Sequence, residues 1–420
     1  MNVTIQPSAA NGRIKAISSK SAAHRILICA AFADEMTAVR CDTTNKDIEA
    51  TAACLCAMGA SIRYENPYFY VTPIGVPKSG VTLPCNESGS TLRFLLPIVP
   101  AIGIDARFEM AGRLPERPLS PLYEELTAHG ARLGPQGSNP LDCRGSLSGE
   151  EYKIRGDVSS QFISGLLFAL TFSGRGGRLI IEGKTESAPY VNMTVDALRL
   201  FGAAPIKTAD GYIIQKGVKL VSPRTLDVEG DWSNAAFPLC MGAIGSGAVS
   251  VYGLKNDSNQ GDRTIVELLR RFGADVTEGE GEYTVRGGKA LHGIEIDATQ
   301  IPDLVPVLAT VASVSEGETR IFGASRLRLK ESDRLMTVTQ MLSALGADIS
   351  ETEDGLIIRG KPRLSGGTVD SCNDHRIAMS AAVASVASAQ EITIEGAQCA
   401  SKSYPDFWSD IKACLGIKTT

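Results

Sequence analysis

The chain has 420 residues, 43% hydrophobic and 21% charged, with 42 basic against 47 acidic side chains and a net charge of -5. That is the balance of an ordinary globular protein of two to three domains, and it provides no basic field for nucleic acid or an anionic membrane surface. No apolar run reaches the ~18 residues a membrane span needs, and the opening MNVTIQPSAANGR lacks the apolar core of a signal peptide.

The predicted elements recur in chain order. Asn2–Ile5 alternates as a short strand. SSKSAAHR (18–25) and TTNKDIEA (43–50) each open a helix, and the second helix ends in CLCAMGASI at Ile62. NESGSTLR (86–93) and LPERPLSPL (114–122) lead to LTAHGARL, ending at Leu133. DVSSQFISG (157–165) and TESAPYVNM (185–193) lead to ALRLFGAAPI, ending at Ile206. GDWSNAA (230–236) and NQGDRT (259–264) lead to LLRRFGADV, ending at Val276. IPDLVP (301–306) and RLKESDR (328–334) lead to MLSALGADI, ending at Ile349. CNDHRIAM (372–379) and SKSYPDFW (401–408) lead to a weaker copy, IKACLGI, ending at Ile417.

The glycines that stop the second helices are Gly59, Gly130, Gly202, Gly273, Gly346 and Gly416, separated by 71, 72, 71, 73 and 70 residues. A period this steady means six copies of one supersecondary unit, each closed by a glycine able to take the left-handed conformation. Between Gly273 and Gly346 the unit reads as a hairpin (ADVTEGEGEYTVRG), a strand (GIEIDAT), a helix after a proline, a strand (TRIFGA), a loop (SRLRLKESDR) and a second helix. Each repeat therefore holds about four strands and two helices.

Six such units exceed the ~250–300 residues over which one core grows, so a three-plus-three split is expected. Asn2–Ile5 matches Tyr283–Arg286 at one period's offset, so the first strand completes the last repeat. The expected domains are residues 1–13 with 227–420, and 14–226.

The loops before the helices carry the chemistry. A helix N-terminus offers unpaired N–H groups and the positive end of the dipole. Taken singly, Ser18–Ser19 or Ser159–Ser160 reads as an N-cap. Lys20, Arg25, Arg93, Arg117, Arg334, Arg376 and Lys402 are different, because a cation near a helix start opposes the dipole. Seven in matching places imply a shared ligand bearing several negative groups, held in a cleft between the halves, with arginine suited to carboxylate and lysine to phosphate. Asp303, among prolines and apolar residues, reads as an N-cap or as a buried acid/base; Glu331, between Lys330 and Arg334, reads as a helix-start acid or a second acid/base. His375 is open between a structural and a catalytic role. The ten cysteines lack framework or CxxC spacing and read as free thiols in a reducing cytoplasm; no metal-ligand spacing is present.

SKSAAHR, ESGSTLR, PERPLSPL, SSQFISGL, ESAPY, IPDLVPVLA, RLKESDRL, NDHRIAM and SKSYPDF together resemble, in order, the signature segments of the 5-enolpyruvylshikimate-3-phosphate synthase family, over nearly the whole chain. The resemblance implies a two-domain inside-out α/β barrel with three repeats per domain. It also implies transfer of the enolpyruvyl group of phosphoenolpyruvate to the 5-hydroxyl of 3-phosphoshikimate through a tetrahedral intermediate, in the shikimate pathway to aromatic amino acids. Expected too are a cytoplasmic monomer that needs no cofactor, and the inhibitor glyphosate.

By the same resemblance Lys20, Ser21, Arg25, Ser159, Ser160, Gln161, Ser187, Tyr190, Asp303 and Lys330 hold 3-phosphoshikimate. Lys20, Gly89, Arg117, Gln161, Arg334, Arg376 and Lys402 hold phosphoenolpyruvate, and Asp303, Glu331 and Lys20 are catalytic. The chain departs from the common pattern at Glu87-Ser88-Gly89-Ser90, at Phe94 and at Arg326. Two rival readings are the sister enzyme acting on UDP-N-acetylglucosamine, whose reactive Cys or Asp is absent from the loop before Arg117-Pro118, and a non-catalytic anion-binding scaffold.

Overall fold

The computed structural model describes residues 1–416, so the strand start expected at Ile417 lies outside the described residues. All six repeat glycines have positive φ, from 67° at Gly416 to 119° at Gly59, the conformation for which glycine lacks a Cβ penalty. The helices come in pairs, one pair per repeat. They are α1 (Lys20–Ala31) with α2 (Lys46–Met58), α3 (Gly89–Ala101) with α4 (Leu122–Ala128), and α5 (Ser160–Phe172) with α6 (Ala188–Leu200). Then follow α7 (Trp232–Ile244) with α8 (Ile265–Phe272), α9 (Val305–Ala312) with α10 (Arg334–Ala344), and α11 (His375–Ala384) with α12 (Phe407–Cys414).

The chain forms two compact units: Ser18–Val228, and Met1–Ile17 with the residues from Glu229 onward. In the first unit, a sheet runs Val81–Asn86, Ala106–Met110, Leu141–Gly145, Ala131–Leu133. Its first two strands are parallel and joined through α3; the remaining pairings are antiparallel. Parallel neighbours need a crossover of this length, and the helix supplies it. The same order recurs in the other four-stranded sheets, and the sixth sheet has three strands among the described residues. Val3–Ile5 takes the antiparallel place beside Ile392–Glu395 in the sixth.

Two sheets borrow a strand from across the sequence. Gly12–Lys15 pairs in parallel with Ala248–Tyr252, and Thr225–Asp227 with Thr37–Arg40. Each strand therefore stays with the sheet it hydrogen-bonds to. The divisions fall after Ile17 and Val228, where the sequence reading put them after 13 and 226: a boundary at 13 would cut a paired strand.

Each unit has its own hydrophobic core. All eight residues of α9 and all ten of α11 are buried. The first helices of the repeats form the interior and the sheets cover them, which is the inside-out arrangement. A helix buried on every side is apolar round most of its surface, and Val305–Ala312 and Ile377–Ala384 are, apart from Thr310 and Ser380. Their starts, where the polar residues sit, become the sites.

Candidate active site

In the unit that holds the C-terminal half, the starts of α7, α10 and α11 and the 3₁₀ turn Pro302–Leu304 before α9 bring charges together. Arg334 opens α10 with its side chain 1% exposed. Its Nη1 donates to Asp303 Oδ1 at 2.8 Å, its Nη2 to Glu331 Oε2 at 2.7 Å, and its Nε to Asp374 Oδ2 at 2.8 Å. One guanidinium thus binds three carboxylates, using the fork geometry lysine lacks. Asp374 also accepts from Ser332 Oγ at 3.0 Å and caps α11 by accepting from the Arg376 amide at 3.0 Å. Arg376 donates through Nη1 to the Asp303 carbonyl at 3.0 Å and through Nη2 to Ser233 Oγ at 2.7 Å. Its Nη2 stands 3.4 Å from Asp303 Oδ2, and Lys330 Nζ is 3.8 Å from Asp303 Oδ1.

These contacts set protonation. Burial pushes the Asp303 carboxyl up, but Arg376, Lys330 and Arg334 together outweigh it and hold it well below the usual carboxylate range. Asp374 is depressed likewise, burial being overcome by Arg334 and His375. Burial lowers the Arg334 pKa, and Asp374, Glu331 and Asp303 more than offset this. Asp262, buried nearby and repelled by Asp303, is pushed up to about 6, chiefly by burial.

Two expectations change here. Asp303 is no N-cap: the turn it lies in has no side-chain cap. And the cation at the α10 start is balanced by the protein's own carboxylates, so Arg334 does not by itself require an external anion. Lys402 closes the 3₁₀ turn Ala397–Lys402, where its charge and that of Asp374 both act on Cys399.

The other unit holds two clusters. In the first, Lys20 opens α1 behind the cap Ser19 and pairs with Asp47 at 2.9 Å. Arg25, one turn on, is 2% exposed. It donates to Ser21 O at 2.7 Å, Tyr190 O at 2.9 Å and Thr194 Oγ1 at 2.8 Å, and burial lowers its pKa to about 10. Ser187 precedes α6 in the left-handed region, φ 52°, and turns the chain so that Tyr190 lies in the first turn of α6.

In the second cluster, Ser159 caps α5 by accepting from Gln161 N at 3.3 Å, with Ser160 the first helical residue. Gln161 Nε2 donates to Ser90 Oγ at 2.9 Å, and its Oε1 accepts from Arg93 Nη1 at 3.5 Å. This reach depends on close packing of α5 on α3. A Cβ on Gly165, one turn after Gln161, would lie 2.3 Å from the Arg93 carbonyl oxygen. At Gly89 a Cβ would lie 2.6 Å from Arg93 Nη1 and 2.9 Å from Arg117 Nη1, so two guanidinium groups converge on the turn that opens α3.

Sequence reasoning missed several members. Arg93 was noted only as a cation, and Asp47, Asp262, Asp374 and Ser233 had no role. The repeat would have found two of them: Asp262 stands 11 residues before Gly273 and Asp47 stands 12 before Gly59, both in second-helix starts. Asp374 lay in a quoted motif whose histidine drew the attention.

The fold and these clusters define an α/β protein of six repeats that gathers guanidinium, ammonium and carboxylate groups at helix starts. A family model described as EPSP synthase (3-phosphoshikimate 1-carboxyvinyltransferase) matches residues 5–411, and the chain belongs to that family. It is 41% identical over 418 residues to the 3-phosphoshikimate 1-carboxyvinyltransferase of Clostridium kluyveri, covering 99% of this chain and 97% of that protein. With that of Clostridioides difficile it shares 39% over 430 residues, covering 99% and 98%. An EPSP synthase structure from Acinetobacter baumannii superposes with a TM-score of 0.82 at 27% identity, covering 99% of this chain and 98% of that one. The enolpyruvyl transferase NikO from Streptomyces tendae gives 0.79 at 19% identity, covering 99% and 97%, which speaks to the fold alone.

Proposed function

We propose that this enzyme transfers the enolpyruvyl group of phosphoenolpyruvate to the 5-hydroxyl of 3-phosphoshikimate and releases inorganic phosphate, with the following division of labour. Arg25, Ser21, Ser159, Ser160, Ser187, Tyr190 and Lys330 hold 3-phosphoshikimate. Gly89, Arg117, Arg376 and Lys402 hold phosphoenolpyruvate, and Lys20 and Gln161 serve both. Asp303 accepts the proton of the attacking hydroxyl. Glu331, with Lys20, protonates the methylene carbon as the C–O bond forms at C2. Reversal of the methylene proton transfer then expels phosphate from the tetrahedral intermediate and regenerates the enol ether. Arg334 is assigned a double part, as a cation of the phosphoenolpyruvate site and as the bridge that fixes the spacing of the two carboxylates.

One observation supports this best: Asp303 and Glu331 sit on the two ends of the same buried guanidinium, at 2.8 and 2.7 Å. A general base must be ionised before it can take a proton, and the three cations around Asp303 keep it so. Two carboxylates held apart by one arginine can work on two different protons without sharing one. Hydroxyl and enolpyruvyl carbon brought into contact then gain the advantage of an intramolecular reaction.

The test is phosphate release from phosphoenolpyruvate with 3-phosphoshikimate or with UDP-N-acetylglucosamine as acceptor. Release with the first alone is expected. Release with the second alone, or with neither, removes the reading.

A further inference from the structure

A buried hydrogen-bond chain links α1, α2 and α3 and uses no group of the proposed chemistry. His24 Nδ1 lies 2.7 Å from Thr51 Oγ1, and Thr51 Oγ1 lies 2.7 Å from Thr91 Oγ1. Thr91 Oγ1 donates to Ser88 Oγ at 2.7 Å. Ser88 is the N-cap of α3 and also accepts from the Thr91 amide at 3.3 Å. His24, Thr51 and Thr91 are fully buried and Ser88 is 1% exposed.

The direction of the chain follows from counting protons. A threonine hydroxyl has one proton to donate. Thr91 uses its proton on Ser88, so the Thr51–Thr91 contact needs the Thr51 proton. Thr51 then has none left for His24, and the first contact needs a proton on His24 Nδ1. The imidazole is therefore the neutral Nδ1–H tautomer. Its Nε2 is a bare lone pair, and among the described residues it has no hydrogen-bond partner. The ring stands nearly perpendicular to that of Phe94 in α3, at 84°, with ring centroids 6.5 Å apart. An imidazole held in one tautomer at the price of a buried, unused acceptor is more than filler for a core position.

We propose that His24 is a positioning residue for phosphoenolpyruvate: as an Nδ1–H donor it polarises the Thr51–Thr91 chain in one sense, fixes Ser88 as a double acceptor, and so holds the Ser88-Gly89 turn where Arg93 and Arg117 converge. The inference rests on the proposed function in one respect, the placing of phosphoenolpyruvate at Gly89. His24 touches no reacting atom; it acts through Ser88.

The first test uses the unaltered protein. Nitrogen-15 long-range correlation spectra should show His24 as Nδ1–H with unprotonated Nε2 from about pH 5.5 to 8; an Nε2–H tautomer or an imidazolium overturns the proposal. The second is a split in kinetic constants. His24→Leu and Thr51→Val should each raise KM for phosphoenolpyruvate about tenfold, equivalent to ~1.4 kcal/mol, with KM for 3-phosphoshikimate changed less than about threefold. The double variant should be no worse than either single one, because both break the same chain. His24→Asn, whose amide N–H can reach the same hydroxyl, should restore KM to within about threefold. Unchanged KM in His24→Leu, or equal effects on both substrates, overturns the proposal. Gly89→Ala separates the two layers of argument. A raised KM there alongside a normal His24→Leu overturns only the role of His24, and an unchanged KM overturns the placing of phosphoenolpyruvate and this inference with it.

Discussion

Replacing Asp303 with asparagine removes a charge while keeping the shape. The three cations beside the carboxylate stand at 2.8, 3.4 and 3.8 Å. An amide oxygen can still accept from Arg334 Nη1, and the backbone bond from Arg376 at 3.0 Å is untouched. The variant should therefore fold. Breaking a buried pair outright costs about 3–5 kcal/mol. Asp303 is 18% exposed and retains one bond, so about 1–3 kcal/mol is expected here, read as a lower urea midpoint. Affinity for 3-phosphoshikimate should weaken less than about tenfold, the worth of one hydrogen bond of ~0.5–1.5 kcal/mol. Turnover should fall ~10²–10⁴-fold, about 3–5 kcal/mol in the barrier, because the carboxylate proposed to take the hydroxyl proton is gone. The assay is steady-state phosphate release with both substrates saturating, beside calorimetric titration of 3-phosphoshikimate. A kcat within about tenfold of the parent refutes the reasoning. So does an affinity loss as large as the loss in kcat, which would make Asp303 a binding residue.

Gly165→Ala should cost about 1–3 kcal/mol of stability through overpacking and raise KM for phosphoenolpyruvate, since it pushes α5 off α3 and Gln161 away from Ser90; a parent-like melting temperature and KM would contradict the packing argument. Acid should act on His24. Burial lowers its pKa to about 3 from 6.5, so its contribution to stability is present above the unfolded value and is lost as pH falls towards 3, by up to ~1.4 kcal/mol per pH unit. Urea unfolding between about pH 4 and 7 should therefore decline more steeply in the parent than in His24→Asn; parallel curves would refute the shift. Asp262 has the opposite sign. Its pKa is raised to about 6, so its contribution is present below the unfolded value and is lost as pH rises through 6. Asp262→Asn should gain stability relative to the parent above that pH, and no crossover with pH would refute the raised value.

How far the sequence alone reaches can be seen in particular residues. Six glycines at a period of 70–73 residues made the repeat visible, because helix stops and strand alternation are local properties of the backbone. That the first helices are the buried ones was decided by the structure, in which all residues of Val305–Ala312 and His375–Ala384 are buried. Lys20, Arg25, Arg334 and Arg376 stood out because cations at helix starts break a local electrostatic rule. Three-dimensional structure decided what compensates them. Arg334 finds its anions 3, 31 and 40 residues away, at Glu331, Asp303 and Asp374, and no pattern in the chain says which of many carboxylates will close on one guanidinium. Asp303 could be a cap or a base on its sequence, and only its surroundings separate the two. The His24 chain joins residues 24, 51, 91 and 88, each unremarkable in its own helix. Charge pairing and proton direction depend on distances of a few ångströms between segments far apart in the chain. Periodicity sets where each segment turns, and packing alone sets what it meets.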